Sequence, residues 1–162
     1  LNQPRLLLAE DDEALASLLE EYLLEAGYDV VVHRRGDTAL QALQQEHFDL
    51  VLSDIVMPGV DGLTLLRHVH DSNDDTLIIL MTGYSGIENA LHAVEQGAYD
   101  FVSKPFQLPE IRVRVDNAAR YQQLLRKWLA LSAEGERPDE SALKPGLAAV
   151  KAYGESMNGG NY

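Results

Sequence analysis

The residues able to do chemistry in this chain are acids, one hydroxyl and one ammonium, and each follows a short apolar run. Glu10, Asp11 and Asp12 come after the run 6–9, Asp54 after 50–52 and Ser53, Thr82 after 77–80 and Met81, and Lys104 after 101–102 and Ser103. Crowded carboxylates repel one another unless a cation stands between them, and hard oxygen donors suit Mg²⁺ or Mn²⁺. Taken singly, each residue has an ordinary structural explanation. Asp12 and Glu13 read as a helix N-cap with a favourable first-turn charge, and a lone Asp, Thr or Lys after a strand reads as a turn or solvated residue. The joint pattern points to function, because four strands deliver groups of the required types to one edge.

The elements that must position these groups are legible in the apolar pattern. Runs at 6–9, 30–32, 50–52, 77–80 and 101–102 are short and do not alternate, as expected of parallel strands covered on both faces. Helical stripes lie between them. Leu15, Leu18, Leu19, Tyr22 and Leu23 form the first, with Gly27 as its C-terminal cap; Ala39, Leu40 and Leu43 form the second, behind an N-cap at Asp37. Leu63, Leu66 and Val69 form the third, Ile87, Ala90, Leu91 and Val94 the fourth, ending at Gly97, and a fifth helix follows Pro109 to about residue 131. Strict alternation of strand and helix implies right-handed crossovers and a doubly wound α/β sheet, which binds ligands outside the carboxyl ends of its strands.

Composition narrows the field. The chain has 162 residues, enough for one domain and an appendage, and a formal net charge of −13. That charge disfavours nucleic-acid phosphates and anionic membrane surfaces as direct partners. No cysteine is present, so disulfides, zinc–thiolate centres and thiol nucleophiles are ruled out. No apolar run reaches membrane-spanning length and the N-terminus lacks a signal-peptide core, which predicts a cytoplasmic location. From residue 132 onward Gly, Pro, Glu, Ser and Asn become frequent and periodicity fades. The expected organisation is a folded domain at 1–120, an extension of the fifth helix at 121–131, and a weakly structured tail or linker at 132–162.

The segments LLLAEDDEALASLLEEYLLEAGY, DLVLSDIVMPGVDGLTLL, LIILMTGYSG and GAYDFVSKPF resemble the motif blocks of two-component response-regulator receiver domains. The likeness covers about residues 5–120 and is nearest to receivers of the nitrogen-regulator type. It implies a flavodoxin-like strand order 2-1-3-4-5, flanked by five helices. It also implies that Asp54 accepts a phosphoryl group from a histidine kinase or phosphotransfer protein. Counting back from Gly27-Tyr28 aligns Glu10 and Asp11 with the family's acidic pair. Asp11, Asp54 and the backbone carbonyl of Val56 would then ligate Mg²⁺ or Mn²⁺, with Glu10 acting through water. Thr82 and Lys104 match the groups that meet the phosphoryl oxygens, Phe101 matches the aromatic switch, and Tyr84 matches a position that tunes water access. The Lys104–Pro105 bond is expected to be cis. Such a domain controls a partner or output domain and catalyses only its own phosphorylation and dephosphorylation.

Rival readings fit less well. A dehalogenase-type phosphatase needs a second carboxylate two residues after its nucleophile, where this chain has Val56. A flavodoxin-type electron carrier needs a Ser/Thr/Gly-rich loop where Glu10-Asp11-Asp12 stands. A transcription factor with its output domain removed stays open, since residues 132–162 are too short and broken for such a domain. The five histidines form no metal-ligand spacing with the acids and read as surface residues.

The fifth helix carries the remaining expectation. Leu108, Ile111, Val115 and Ala118 suffice to cover the sheet, yet Tyr121, Leu124, Leu125, Trp128, Leu129 and Leu131 continue the apolar stripe. A helix that has left its core after Arg120 would expose them, and exposed apolar patches mark association surfaces. A homodimer through the extension is expected, with cover from a tail helix near 147–153 as the alternative.

Overall fold

The structure is a computed structural model and describes residues 3–72, 75–83 and 87–133. Arg5–Ala9 (β1), Glu13–Glu25 (α1), Asp29–His33 (β2), Gly36–Gln45 (α2), Leu50–Asp54 (β3), Gly62–Asp71 (α3), Leu77–Thr82 (β4), Ile87–Glu95 (α4), Asp100–Ser103 (β5) and Leu108–Ala133 (α5) follow in turn. All five strands are parallel, in the order β2-β1-β3-β4-β5. The chain's direction of travel across the sheet reverses between β1 and β3, so a crevice opens at their carboxyl ends.

Successive strand residues face opposite sides of the sheet. Leu6 and Leu8 join Leu19, Leu23, Ile111 and Val115 beneath α1 and α5, while Leu7 and Ala9 join Ala39, Leu65, Leu66 and Ala93 beneath α2, α3 and α4. Burial on both faces is why the strands read as unbroken apolar runs. Truncating a leucine in such a core to alanine costs about 2–5 kcal/mol, through lost transfer energy and the cavity left behind.

The helix ends follow from local chemistry. The Asp12 carboxylate accepts from the Leu15 N–H at 3.0 Å, satisfying one donor of the first turn of α1. At the other end Gly27 has φ 100°, and the N–H groups of Gly27 and Tyr28 return to the carbonyls of Leu24 and Leu23, each at 3.1 Å. This left-handed cap is the one the sequence predicts. The start of α2 differs from expectation. The helix begins at Gly36, with Arg35 as an N-cap lacking a side-chain hydrogen bond, and Asp37 lies inside the first turn. The Gly36 N–H instead donates to the Pro58 carbonyl at 2.8 Å, so a neighbouring loop supplies what a capping side chain would.

Two stripes also shift. Leu18 is exposed, because Ala16, Leu19 and Leu23 form the face of α1 that meets the sheet; Leu18 lies about 100° around the helix from Leu19. In α4 the small Ala93 is buried while Leu91 and Val94 are half-buried; the side chains of Ile87 and Ala90 lie outside the described residues.

Helix α5 is 26 residues long, about 39 Å at 1.5 Å per residue. Ile111, Val115 and Ala118 are buried as expected. The expectation that the helix leaves its core after Arg120 is corrected. Gln122 is 2% exposed, and its Nε2 donates to the carbonyls of Asp49 at 2.6 Å and Asp75 at 2.8 Å. Arg126 donates through Nη2 to Asp49 Oδ1 at 2.8 Å and through Nε to Asp75 Oδ2. Polar anchors thus hold the helix against the amino ends of β3 and β4, alongside half-buried Tyr121, Leu125 and Trp128. Leu124 and Leu129 are 39% and 48% exposed. The tail from residue 134, with the helix expected at 147–153, lies outside the described residues.

Candidate functional site

The carboxyl ends of β1, β3, β4 and β5 bring the predicted groups together. Asp54 is the last residue of β3 and pairs with Met81, while Thr82 at the end of β4 pairs with Ser103. Glu10 follows β1, and its N–H continues the ladder by donating to the His33 carbonyl at 3.1 Å. The Lys104 N–H donates to the Thr82 carbonyl at 2.7 Å, which sets the lysine beside β4. The Lys104–Pro105 peptide is cis, as expected.

The side chains close the arrangement. Lys104 Nζ lies 2.6 Å from Glu10 Oε1 and 2.7 Å from Asp54 Oδ2. Carboxylate oxygens of Glu10, Asp11 and Asp54 all lie within 4.8 Å of one another. Glu10 is fully buried, and Oε2 accepts from the Asp12 N–H at 3.1 Å. Burial pushes the Glu10 carboxyl above its usual range, outweighing the hydrogen bond from Lys104. Burial also draws the Lys104 ammonium down, but its hydrogen bonds to Asp54 and Glu10 win and hold it above the usual lysine range. Lys104 is therefore charged, and its single charge faces three carboxyl groups.

That imbalance tests whether a cation suits the site. The donor set is entirely oxygen, the acids come from two adjacent strand ends, and one ammonium cannot neutralise all three. A hard divalent ion fits such a set. Among the described residues no other group of three or more potential metal ligands converges in this way. Asp11 belongs to the cluster, while Asp12 caps α1.

The other predicted residues take distinct places. Thr82 is buried at the strand end, its hydroxyl donating to the Gly83 carbonyl at 3.1 Å. Val56 is 75% exposed in the loop after β3. Phe101 is half-buried against the core beneath α2, α3 and α4. Tyr84 lies outside the described residues. Sequence reasoning missed the contact between Gly36 and the loop after Asp54, and the grip of Gln122 and Arg126 on the far end of the sheet. Gly36 follows Arg34-Arg35 and carries no motif of its own, and the Arg126 partners are remote in sequence, so neither contact leaves a periodic trace.

The fold and site together are a doubly wound five-stranded parallel sheet with three acids and a lysine gathered at its switch point. Residues 6–116 match the response regulator receiver domain, and the chain belongs to that family of two-component signalling proteins. The chain is 39% identical to the response regulator protein FleR of Pseudomonas aeruginosa over 117 residues, 72% of this chain and 24% of that protein. It is 35% identical to the DNA-binding transcriptional regulator NtrC of Escherichia coli over 143 residues, 88% of this chain and 30% of that one. The chain thus spans about a quarter to a third of these relatives. Among solved structures it is similar to NtrX of Brucella abortus, with TM-score 0.73 and 27% identity over 80% of this chain and 30% of that chain. A receiver domain of Methanospirillum hungatei gives TM-score 0.71 and 26% identity, covering 75% of this chain and 98% of that one. These likenesses accord with the nitrogen-regulator character of the motifs.

Among the described residues no helix is long and apolar enough to cross a membrane.

Proposed function

We propose that this domain is a cytoplasmic switch that accepts a phosphoryl group on Asp54 from a histidine kinase or phosphotransfer protein. The observation carrying this reading is the convergence of Glu10, Asp11, Asp54 and Lys104, with one ammonium set against three acids. Asp54 Oδ attacks phosphorus, the bond to the donor atom breaks, and the donor leaves with that electron pair. The product is an aspartyl phosphate. Asp11, Asp54 and the Val56 carbonyl, with Glu10 acting through water, would hold Mg²⁺ or Mn²⁺, which would supply neutralising charge for this transfer. Lys104 moves from pairing with Asp54 to the phosphoryl oxygens, and Thr82 turns its hydroxyl toward them. Nearly two units of negative charge then bias the packing of Thr82 and Phe101, and with it the surface of α4, β5 and α5. Tyr84 tunes water access and so the rate of self-dephosphorylation.

The test is uptake from acetyl phosphate, followed by intact mass. One phosphoryl group is expected in Mg²⁺, none in chelator, and none in Asp54→Asn. Unchanged uptake by Asp54→Asn would reject the assignment.

The partner surface of this reading includes a homodimer through the outward side of α5, where Leu124 and Leu129 are exposed. Light scattering on Leu124→Glu/Leu129→Glu is expected to report a monomer where the parent chain reports a dimer. A parent chain that stays monomeric at high concentration, phosphorylated or not, would defeat this contact.

A further inference from the structure

The loop between β3 and α3 carries Val56, whose carbonyl the proposed function uses; the Val56 side chain is 75% exposed, while Met57 and Val60 pack against the core. Backbone contacts fix the loop more closely than this packing. At its base the Gly62 N–H donates to the Ile55 carbonyl at 2.7 Å. At its far side the Gly36 N–H donates to the Pro58 carbonyl at 2.8 Å. The approach at Gly36 is closer than any other residue type allows. A Cβ there would meet the Val60 carbonyl oxygen at 1.7 Å and the Val60 carbonyl carbon at 2.7 Å. Both are backbone atoms, so no side chain can swing aside to make room. The neighbouring Asp37 fills the next position: a Cβ on Gly59 would lie 2.6 Å from its Cγ and Oδ1. Asp37 is itself fixed by Arg35, whose Nε and Nη2 donate to Oδ1 at 2.9 Å and Oδ2 at 3.1 Å.

We infer that Gly36 is a positioning residue for the metal and phosphoryl site: the amino terminus of α2 holds residues 58–60, and so fixes where the Val56 carbonyl sits relative to Asp54. This accounts for the missing side-chain cap on α2, since its leading N–H is committed to the loop. It also explains why a glycine opens the helix in spite of its low helix propensity. Binding geometry at a cation depends on such outer contacts, which orient ligands without touching the ion. The inference rests on the receiver reading of the site and adds a residue outside it.

Two measurements test it. Mn²⁺ binding is followed by the electron paramagnetic resonance of the free ion, in the full chain without phosphodonor. Gly36→Ala is expected to weaken Mn²⁺ about tenfold or more, the range found when outer-shell contacts are lost. Gln41→Gly, on the exposed side of the same helix, lowers α2 stability without touching the loop and is expected to leave Mn²⁺ affinity unchanged. Exchange of the Gly36 amide proton in the unaltered chain is the second measurement, and it needs no variant. Because coupling is reciprocal, adding Mg²⁺ is expected to slow that exchange more than exchange at Thr76, which lies at the opposite end of the sheet. Failure of the parent chain to bind Mn²⁺ at all would overturn the receiver reading of the site. Normal binding by the parent together with equal affinity in Gly36→Ala, or equal losses in Gly36→Ala and Gln41→Gly, would overturn the role of Gly36 alone. A Gly36→Ala chain that does not fold leaves the decision to amide exchange, where no Mg²⁺-dependent slowing at Gly36 would overturn it.

Discussion

The two ends of the sheet use the same device to opposite effect. At the carboxyl end Lys104 bridges Glu10 and Asp54, and at the amino end Arg126 bridges Asp49 and Asp75. Each places a cation between acids from neighbouring strand segments. At the carboxyl end a third acid, Asp11, leaves carboxylate in excess. At the amino end the guanidinium offers a planar fork to two carboxylates, and Gln122 adds two hydrogen bonds to backbone carbonyls. The amino end is a joint, which fastens α5, with His47 Nε2 also 3.8 Å from Asp49 and 3.6 Å from Asp75. The carboxyl end gathers one acid more, and that excess is what a cation would offset under the proposed function.

The largest effect should come from disturbing that imbalance. Asp11→Asn is expected to weaken divalent-ion binding by on the order of a hundredfold, at or above the upper range for outer-shell losses, because it replaces the charged oxygen donor of the proposed site with a neutral amide. Asp12→Asn should change it little, since that side chain caps α1. Equal losses in the two variants, read by Mn²⁺ titration, would place the acidic pair one residue later and erase the distinction between donor and cap.

Breaking the amino-end joint should cost stability without altering ion binding. Arg126→Ala removes the guanidinium that Asp49 and Asp75 share and leaves His47 Nε2 at 3.8 and 3.6 Å from them. The arginine side chain is 38% exposed, so solvent screening reduces the cost to about 1–2 kcal/mol. Thermal unfolding should register the loss, and amides beyond Gln122 should exchange faster. A fall in Mn²⁺ affinity of similar size to the stability loss would mean that the two ends are coupled rather than separate.

The smallest effect is confined to alkaline pH. Tyr28, just before β2, donates its hydroxyl to Asp116 Oδ1 on α5. Burial, reinforced by that carboxylate, holds the phenol well above its ordinary value of 10.0. A group whose folded value is raised contributes stability fully below its unfolded value and loses it as pH climbs toward the folded one. The contribution of Tyr28 should therefore be complete below pH 10 and decline above it. Tyr28→Phe is expected to flatten part of the alkaline fall in stability, followed by urea unfolding between neutral and strongly alkaline buffers. An identical alkaline slope in the variant would show that other groups govern this region. Tyr99 and Tyr121 are the alternatives, since burial raises both.

Much of this molecule was determined by the sequence alone. Short apolar runs between helical stripes require a parallel sheet covered on both faces, because only that arrangement buries both Leu7 and Leu8. Once the sheet is doubly wound, the residues after each strand must meet at one edge, so Glu10, Asp11, Asp54, Thr82 and Lys104 could be named without coordinates. Hydrophobic periodicity also marked the length of α5 and the cap at Gly27. Tertiary structure alone decided the polar pairings. Arg126 could have faced solvent on any side of its helix; it grips Asp49 and Asp75 because packing of Ile111, Val115 and Ala118 sets the rotation of α5 and brings that side chain over the strand starts. Gly36 meets Pro58 and Val60 for a similar reason, since α2 and the loop after β3 are aligned only when both pack on the same face of the sheet. Burial is periodic and written locally along the chain, whereas a hydrogen bond between distant residues depends on the placement of whole elements and leaves no local pattern to read.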